Sequence, residues 1–289
     1  MSAARRSPPR GGPRKRRPGS DRVEPASTRA AVPNVAPAAP SAPERVQKFL
    51  ARLGHGSRRQ IEEWIRAGRI QINGRNAVLG DTVTAEDQVA IDGRRVIAAS
   101  APSCRILLYN KPEGEICTRS DPEGRPSIFD RLPSPGGQRW VSIGRLDVNT
   151  SGLLLLTTDG DLANRLMHPS GGIDREYLVR VLGEVSPEML ERLRTGVELE
   201  DGPAAFERVY EIGGRGSNRW YGSVLREGRK REVRRLWEAV GVRVSRLKRI
   251  RFGPISLPSH LLRGQFMELD EATIATLRAA VAPDAHSRS

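Results

Sequence analysis

A chain of 289 residues, 37% hydrophobic and 4% aromatic, is long enough for one large domain or two smaller ones with a proper core. Its 48 Lys and Arg against 34 Asp and Glu leave a formal charge of +14, which points to a polyanionic partner. No apolar stretch approaches membrane-spanning length, and the Arg/Pro-rich start lacks the hydrophobic core of a signal peptide; this argues against a membrane and for the cytoplasm.

Residues 1–43 hold nine of the 21 prolines, nine Arg or Lys, two acids and no aromatic residue. Such a segment cannot bury enough apolar surface to fold alone and is expected to be a disordered basic arm. Two readings stand for it, a non-specific attraction for phosphates or a solubilising or targeting tail. Structure is expected from Glu44. Val46, Phe49, Leu50 and Leu53 fall on one helical face, which Gly54 ends. Ser57-Arg58-Arg59-Gln60 matches a capping box opening a second helix, which buries Ile61, Trp64 and Ile65 and stops at Gly68. Arg69 to Ile72 alternates as a strand into Asn73-Gly74, and a strand at Val89 to Ile91 runs into Asp92-Gly93; both pairs are hairpin turns. Lys48, Arg52, Arg58, Arg59, Arg66 and Arg69 lie off the apolar faces. A charge run is usually a solvated face, but five arginines of six around one helix junction favour phosphate. Residues 44–98 resemble the S4 RNA-binding module, whose helix pair docks on structured RNA.

A linker at Ala98 to Ser103 leads to a larger region, residues 104–282, with a tail at 283–289. Arg105 to Tyr109 reads as a strand, as does the leucine run 153–156, followed by a helix at 161–167 stopped by His168-Pro169. Tyr177, Val179 and Val181 alternate along a strand. Ser186-Pro187 opens a helix burying Met189, Leu190 and Leu193. Strands follow near 206–212 and 219–225, with Gly213 to Gly216 as a loop between them. Val233, Leu236, Trp237 and Val240 form a helical stripe, Val242 to Phe252 another strand, and Asp270 caps a final helix. Strands and helices in no regular alternation predict an α+β fold on a mixed, mainly antiparallel sheet.

Three places in this region could carry chemistry. Arg145 and Asp147 crowd the turn before the leucine strand, where the acid either performs chemistry or simply accepts hydrogen bonds from the turn's own backbone. Arg175-Glu176-Tyr177 sets a tyrosine among charges, unless it is an ordinary half-buried strand residue. Glu227 to Arg235 is a basic turn entering a helix, where Arg234 and Arg235 could equally pair with Glu232 or Glu238. Cys104 and Cys117 match no metal or redox spacing and read as packing residues in a reducing compartment. The histidines are scattered, so neither a metal nor a cofactor is expected.

Together, Gly144-Arg145-Leu146-Asp147, the run Thr150 to Gly160, Lys111-Pro112-Glu113-Gly114, Arg175-Glu176-Tyr177 and Glu227 to Arg235 stand in the order of the small-subunit-type (RsuA-like) pseudouridine synthases, and the chain resembles that family over residues 44–270. The resemblance implies an isomerase that converts uridine to pseudouridine in 23S ribosomal RNA, free or in the assembling large subunit, without cofactor or metal. It implies that Asp147 is the catalytic carboxylate, attacking the base or sugar or abstracting a sugar proton. Arg145 would fill the stack vacated by the extruded base, and Tyr177 would stack on that base and place a hydroxyl for proton transfer. Arg234 corresponds to the arginine that pairs with the acid, with Arg235 its alternative should the alignment slip by one. Val233 would line the uracil pocket or be ordinary core, and Lys111 and Arg125 would be phosphate or structural contacts. The rival readings are a non-catalytic ribosome-assembly factor built on the same S4-like module, and a base-cleaving glycosylase. A monomer is expected.

Overall fold

The computed structural model describes residues 42–97 and 104–281, apart from 85, 120 and 217. Most of the basic arm, the linker at 98–103 and the tail from 282 lie outside the described residues.

Near the start, α1 (Val46–Arg52) and α2 (Arg58–Arg66) follow the apolar periodicity and pack on a small antiparallel sheet ordered 75–76, 70–72, 89–91, 94–95. The Ser57 side chain accepts the Gln60 N–H at 3.1 Å, capping α2. Asn73-Gly74 and Asp92-Gly93 both hold two successive residues at positive φ, as a two-residue hairpin turn requires. Val46, Leu50, Ile61, Ile65, Ile70 and Val89 form the core of this unit. Trp64 is half-buried against this core, and the Arg69 guanidinium lies 4.9 Å from its ring centre.

The larger region is built on β1 (Ile106–Lys111), β2 (Val141–Ile143), β3 (Ser151–Thr157), β4 (Arg175–Leu182), β5 (Arg208–Arg215), β6 (Asn218–Leu225), β7 (Arg243–Phe252) and β8 (Phe266–Glu268). Their order is β5-β6-β4-β7-β3-β1-β8, with β2 added beside the far end of β3. Every ladder is antiparallel except the short β3·β7 one. Along one edge of β3, Ser151 and Gly152 pair with Lys248 and Arg249 of β7, and Leu155 to Thr157 pair with β2.

Helices cover both faces of this sheet, which is why β3 reads as unbroken leucine. Leu154 and Leu156 join Val179, Val181, Leu247, Leu193 of α4 (Pro187–Thr195) and Leu236 and Trp237 of α5 (Glu232–Ala239). Leu153 and Leu155 face the other way, toward Leu162 and Leu166 of α3 (Gly160–Met167) and Ile274 and Leu277 of α6 (Glu271–Ala279). Two expectations are corrected. Gly213 and Gly214 continue β5 opposite β6 across a bulge and are not a loop. Met189 and Leu190 are half-buried on the rim of α4, with Leu193 alone reaching the core.

Candidate active site

The turn from β2 to β3 is anchored by Leu146, which sits in the core and leaves its neighbours Arg145 exposed and Asp147 half-buried. The Thr150 N–H closes the turn on the Asp147 carbonyl at 3.0 Å. Two buried cations then hold its main chain. Lys111, at the end of β1, is fully buried and donates its Nζ to the carbonyls of Pro112 (2.9 Å), Asp147 (3.2 Å) and Thr150 (2.9 Å). Arg234, projecting from α5, donates Nη2 to the Asn149 carbonyl at 2.8 Å and Nη1 to the Val244 carbonyl at 3.1 Å. Burial pushes the Lys111 ammonium and the Arg234 guanidinium below their ordinary ranges, against the charge of Asp147, which favours both cations.

The Asp147 carboxylate itself accepts no hydrogen bond and makes no ion pair among the described residues. This corrects two expectations. The acid does not cap its own turn, and Arg234 does not pair with it, because the guanidinium is committed to carbonyls on either side. Arg235 is no substitute, since it points outward and forms a two-pronged ion pair with Asp201 at 2.7 and 2.9 Å.

Tyr177 approaches from β4. It lies opposite Arg249 on β7, which lies opposite Gly152 on β3, so its backbone is about 10 Å from the base of the turn, two strand spacings away. Its ring is buried in the cluster that holds Leu146 and Val233, so Val233 is core packing beside the site. Gly152 is fixed by close approach: its φ is +104° and a Cβ there would meet the Arg249 carbonyl at 2.1 Å. Arg234 thus touches the Asp147 turn directly, while Tyr177 lies two strands away from its base.

Several expected RNA contacts are elsewhere engaged. Lys111 is sealed from solvent and cannot reach a phosphate. Arg125 pairs with Asp121, whose carboxyl it holds down at about 2. Lys48 pairs with Asp161 at 2.6 Å, Arg52 with Glu44, and Arg69 with Asp92 through two bonds at 2.9 and 2.6 Å. Arg66 reaches Glu62 only at 4.0 Å. Arg58 and Arg59 are exposed and have no carboxylate partner among the described residues.

Sequence reasoning passed over Arg249 and offered Glu232 only as a partner for Arg234 or Arg235. Arg249 is buried, donates Nε to the Leu153 carbonyl at 2.7 Å and so ties β7 to β3 beside the turn. The available signal was a charge two residues after Leu247, in the inward phase of β7. Glu232 is buried at the start of α5, where it accepts the Arg229 N–H at 3.0 Å and fixes the basic turn; burial pushes its carboxyl up. Among the described residues no group of three or more His, Cys, Asp or Glu could hold a metal ion, and no helix is long and apolar enough to cross a membrane.

The model of the RNA pseudouridylate synthase family matches residues 105–239, and that of the S4 domain matches residues 44–96. Ribosomal large subunit pseudouridine synthase B of Escherichia coli K12 is 59% identical over 242 residues, covering 82% of this chain and 83% of that protein. The chain belongs to the pseudouridine synthase family. The Pseudomonas aeruginosa synthase B is also 59% identical, over 238 residues, and there the chain matches 81% of itself but spans only 61% of the relative's length. A solved pseudouridylate synthase superposes with a TM-score of 0.57 at 26% identity, over 81% of this chain and 99% of that one. In this synthase the family match spans the β2–β3 turn, β4 and α5, the elements that carry Asp147, Tyr177 and Arg234.

Proposed function

We propose that this synthase isomerises uridine to pseudouridine in 23S ribosomal RNA, free or within the assembling large subunit, and that Asp147 is its catalytic carboxylate. The observation that carries the reading is a carboxylate without a partner on a turn whose main chain two buried cations hold rigid. A reacting group needs both properties, availability and a fixed position. The relatives' names supply the substrate class.

The reaction is redox-neutral. The bond from C1′ to N1 of uracil breaks, a bond from C1′ to C5 forms, the C5 proton leaves and N1 ends protonated, so the mass of the RNA is unchanged. A uracil stacked in RNA is out of reach of any side chain, so the base must first be extruded at a cost of a few kcal/mol. Arg145, exposed beside the acid, enters the vacated stack as a planar cation. Tyr177 stacks on the extruded base, and Arg234 positions the acid through the Asn149 carbonyl rather than by touching it. Residues 44–98 hold structured RNA and residues 104–282 perform the chemistry, in the cytoplasm, with the basic arm adding non-specific attraction.

The test is release of tritium from 23S RNA labelled at uracil C5. The wild-type chain is expected to release one equivalent per modified uridine, and Asp147→Asn to lose on the order of 10⁴-fold in rate while keeping its RNA affinity. Absence of release by the wild type would leave an assembly factor, and free uracil in the supernatant would indicate a glycosylase; either result overturns the reading.

A further inference from the structure

A cleft of about 920 Å³ opens between α1–α2 and the larger region, on the side of the β2–β3 turn where Cys117 lies. It is lined by six cations and two acids, and both acids are already engaged. Asp161 is held by Lys48 at 2.6 Å, and Asp159 accepts the N–H groups of Asp161 and Leu162 at 3.0 Å each as the cap of α3. Arg52 is held by Glu44. That leaves Arg58, Arg59, Arg119 and Arg139 facing the cleft without a carboxylate within 4.0 Å among the described residues.

Two of these differ from an ordinary surface arginine, although Arg119 remains exposed. The Arg119 guanidinium lies over the Phe129 ring, 3.9 Å from its centre, and donates to the Trp140 carbonyl at 2.9 Å, so it is held in place before anything binds. Arg139 is half-buried and makes no hydrogen bond or ion pair to a described residue. Desolvation by the cleft walls pushes both guanidiniums below the usual arginine range, and the Arg139 charge adds to this at Arg119. Two like charges on one cleft wall, neither of them neutralised, cost free energy that an arriving anion returns. The cleft is also wired to the site: the Cys117 thiol on its wall donates to the Leu146 carbonyl, one residue from Asp147.

We propose that Arg119 and Arg139, with Arg58 across the cleft, grip a backbone phosphate of the RNA strand next to the extruded uridine. This rests on the catalytic reading only for the location of that uridine. Neither Arg119 nor Arg139 belongs to the helix-pair surface expected from the sequence, so the S4-like module and the larger region share one phosphate site.

The experiment is RNA binding by the full chain across a salt series, with a labelled 23S fragment, for the wild type, Arg139→Gln, Arg58→Gln and Asp147→Asn. Arg139→Gln is expected to weaken binding about tenfold, the worth of one charge-assisted contact, and to flatten the slope of log affinity against log salt by about 0.7–0.9. Arg58→Gln should do the same from the exposed side, and serves if the first variant does not fold. Thermal stability of Arg139→Gln should equal or exceed that of the wild type, since an unneutralised charge is removed; a structural arginine would give the opposite. Wild-type affinity and slope in both variants overturn the proposal. So does competition by millimolar inorganic phosphate with no effect of Arg139→Gln on RNA, which would make this a small-anion site. Asp147→Asn keeps the wild-type slope, so a failure of the catalytic reading appears in tritium release and not in these curves.

Discussion

Replacing Lys111 with Met tests whether the acid's position depends on a buried cation that never touches its carboxylate. The Nζ group donates to three carbonyls at 2.9, 3.2 and 2.9 Å, two of them within the turn of residues 147–150. Hydrogen bonds from a charged donor are worth about 1.5–3 kcal/mol each, so the gross loss is about 5–9 kcal/mol. Against this, the variant no longer buries an ammonium, a relief of several kcal/mol. The net is a destabilisation of about 2–4 kcal/mol, or a fall of about 10 °C in thermal midpoint for a domain of this size. Freed at both ends, the turn moves, and a displacement of about 1 Å at a reacting group costs about 100-fold in rate. The assays are thermal unfolding and single-turnover tritium release on the 23S fragment. RNA affinity and its salt slope should not change, because Lys111 is sealed from solvent. A variant with wild-type midpoint and rate would refute the positioning role, and a flattened salt slope would restore the phosphate role that burial excludes.

Arg234→Gln should likewise slow turnover by about 100-fold, whereas Arg235→Gln should cost under about 1 kcal/mol of stability, as loss of the Asp201 surface pair does, and leave turnover alone; equal effects in a tritium-release comparison would contradict the assignment of inward and outward arginines. Gly152→Ala places a Cβ 2.1 Å from the Arg249 carbonyl at a φ of +104° and should destabilise by about 3 kcal/mol or more, measured by urea unfolding. Burial raises the Glu232 carboxyl, so the native state binds more protons than the unfolded chain between the usual glutamate range and the raised value, and the residue's contribution falls as pH rises through that window. Glu232→Gln, which keeps an acceptor for the Arg229 N–H, should therefore gain stability relative to the wild type at neutral pH and lose that advantage near pH 4; a pH-independent difference would refute the sign.

What could be read from the sequence was local. Ser57, Ser186 and Asp270 cap their helices through their own side chains, and Asn73-Gly74 and Asp92-Gly93 bend because those residues tolerate positive φ. The leucine run announced a strand covered on both faces. What stayed hidden was set by partners far along the chain. The β3·β7 ladder joins residues about a hundred positions apart, and β2, β8 and the hairpin of 197–199 with 202–204 are too short for an alternation to register. The Asp147 turn stood out by residue type, but not the fact that its carboxylate is left open. Arg234 and Arg235 are adjacent in sequence and about 100° apart around α5, so one enters the core and the other meets Asp201. A basic residue looks the same in sequence whether a carbonyl, a carboxylate or water awaits it.

That choice of partner accounts for the character of the site. Lys111, Arg175, Arg234 and Arg249 are all buried, and each donates to main-chain carbonyls: Lys111 and Arg234 around the turn, Arg249 to Leu153, Arg175 to Ile173 and Arg226. A carboxylate partner would have fixed these side chains equally well, but it would also have cancelled their charge. A carbonyl fixes the geometry and leaves the charge in place. The end of the sheet around Asp147 is therefore rigid and electropositive at once, while the one acid on the turn stays unclaimed. The same arrangement leaves a buried nitrogen on Arg234 and another on Arg249 without partners, so the rigidity of this end of the sheet comes at some cost in stability.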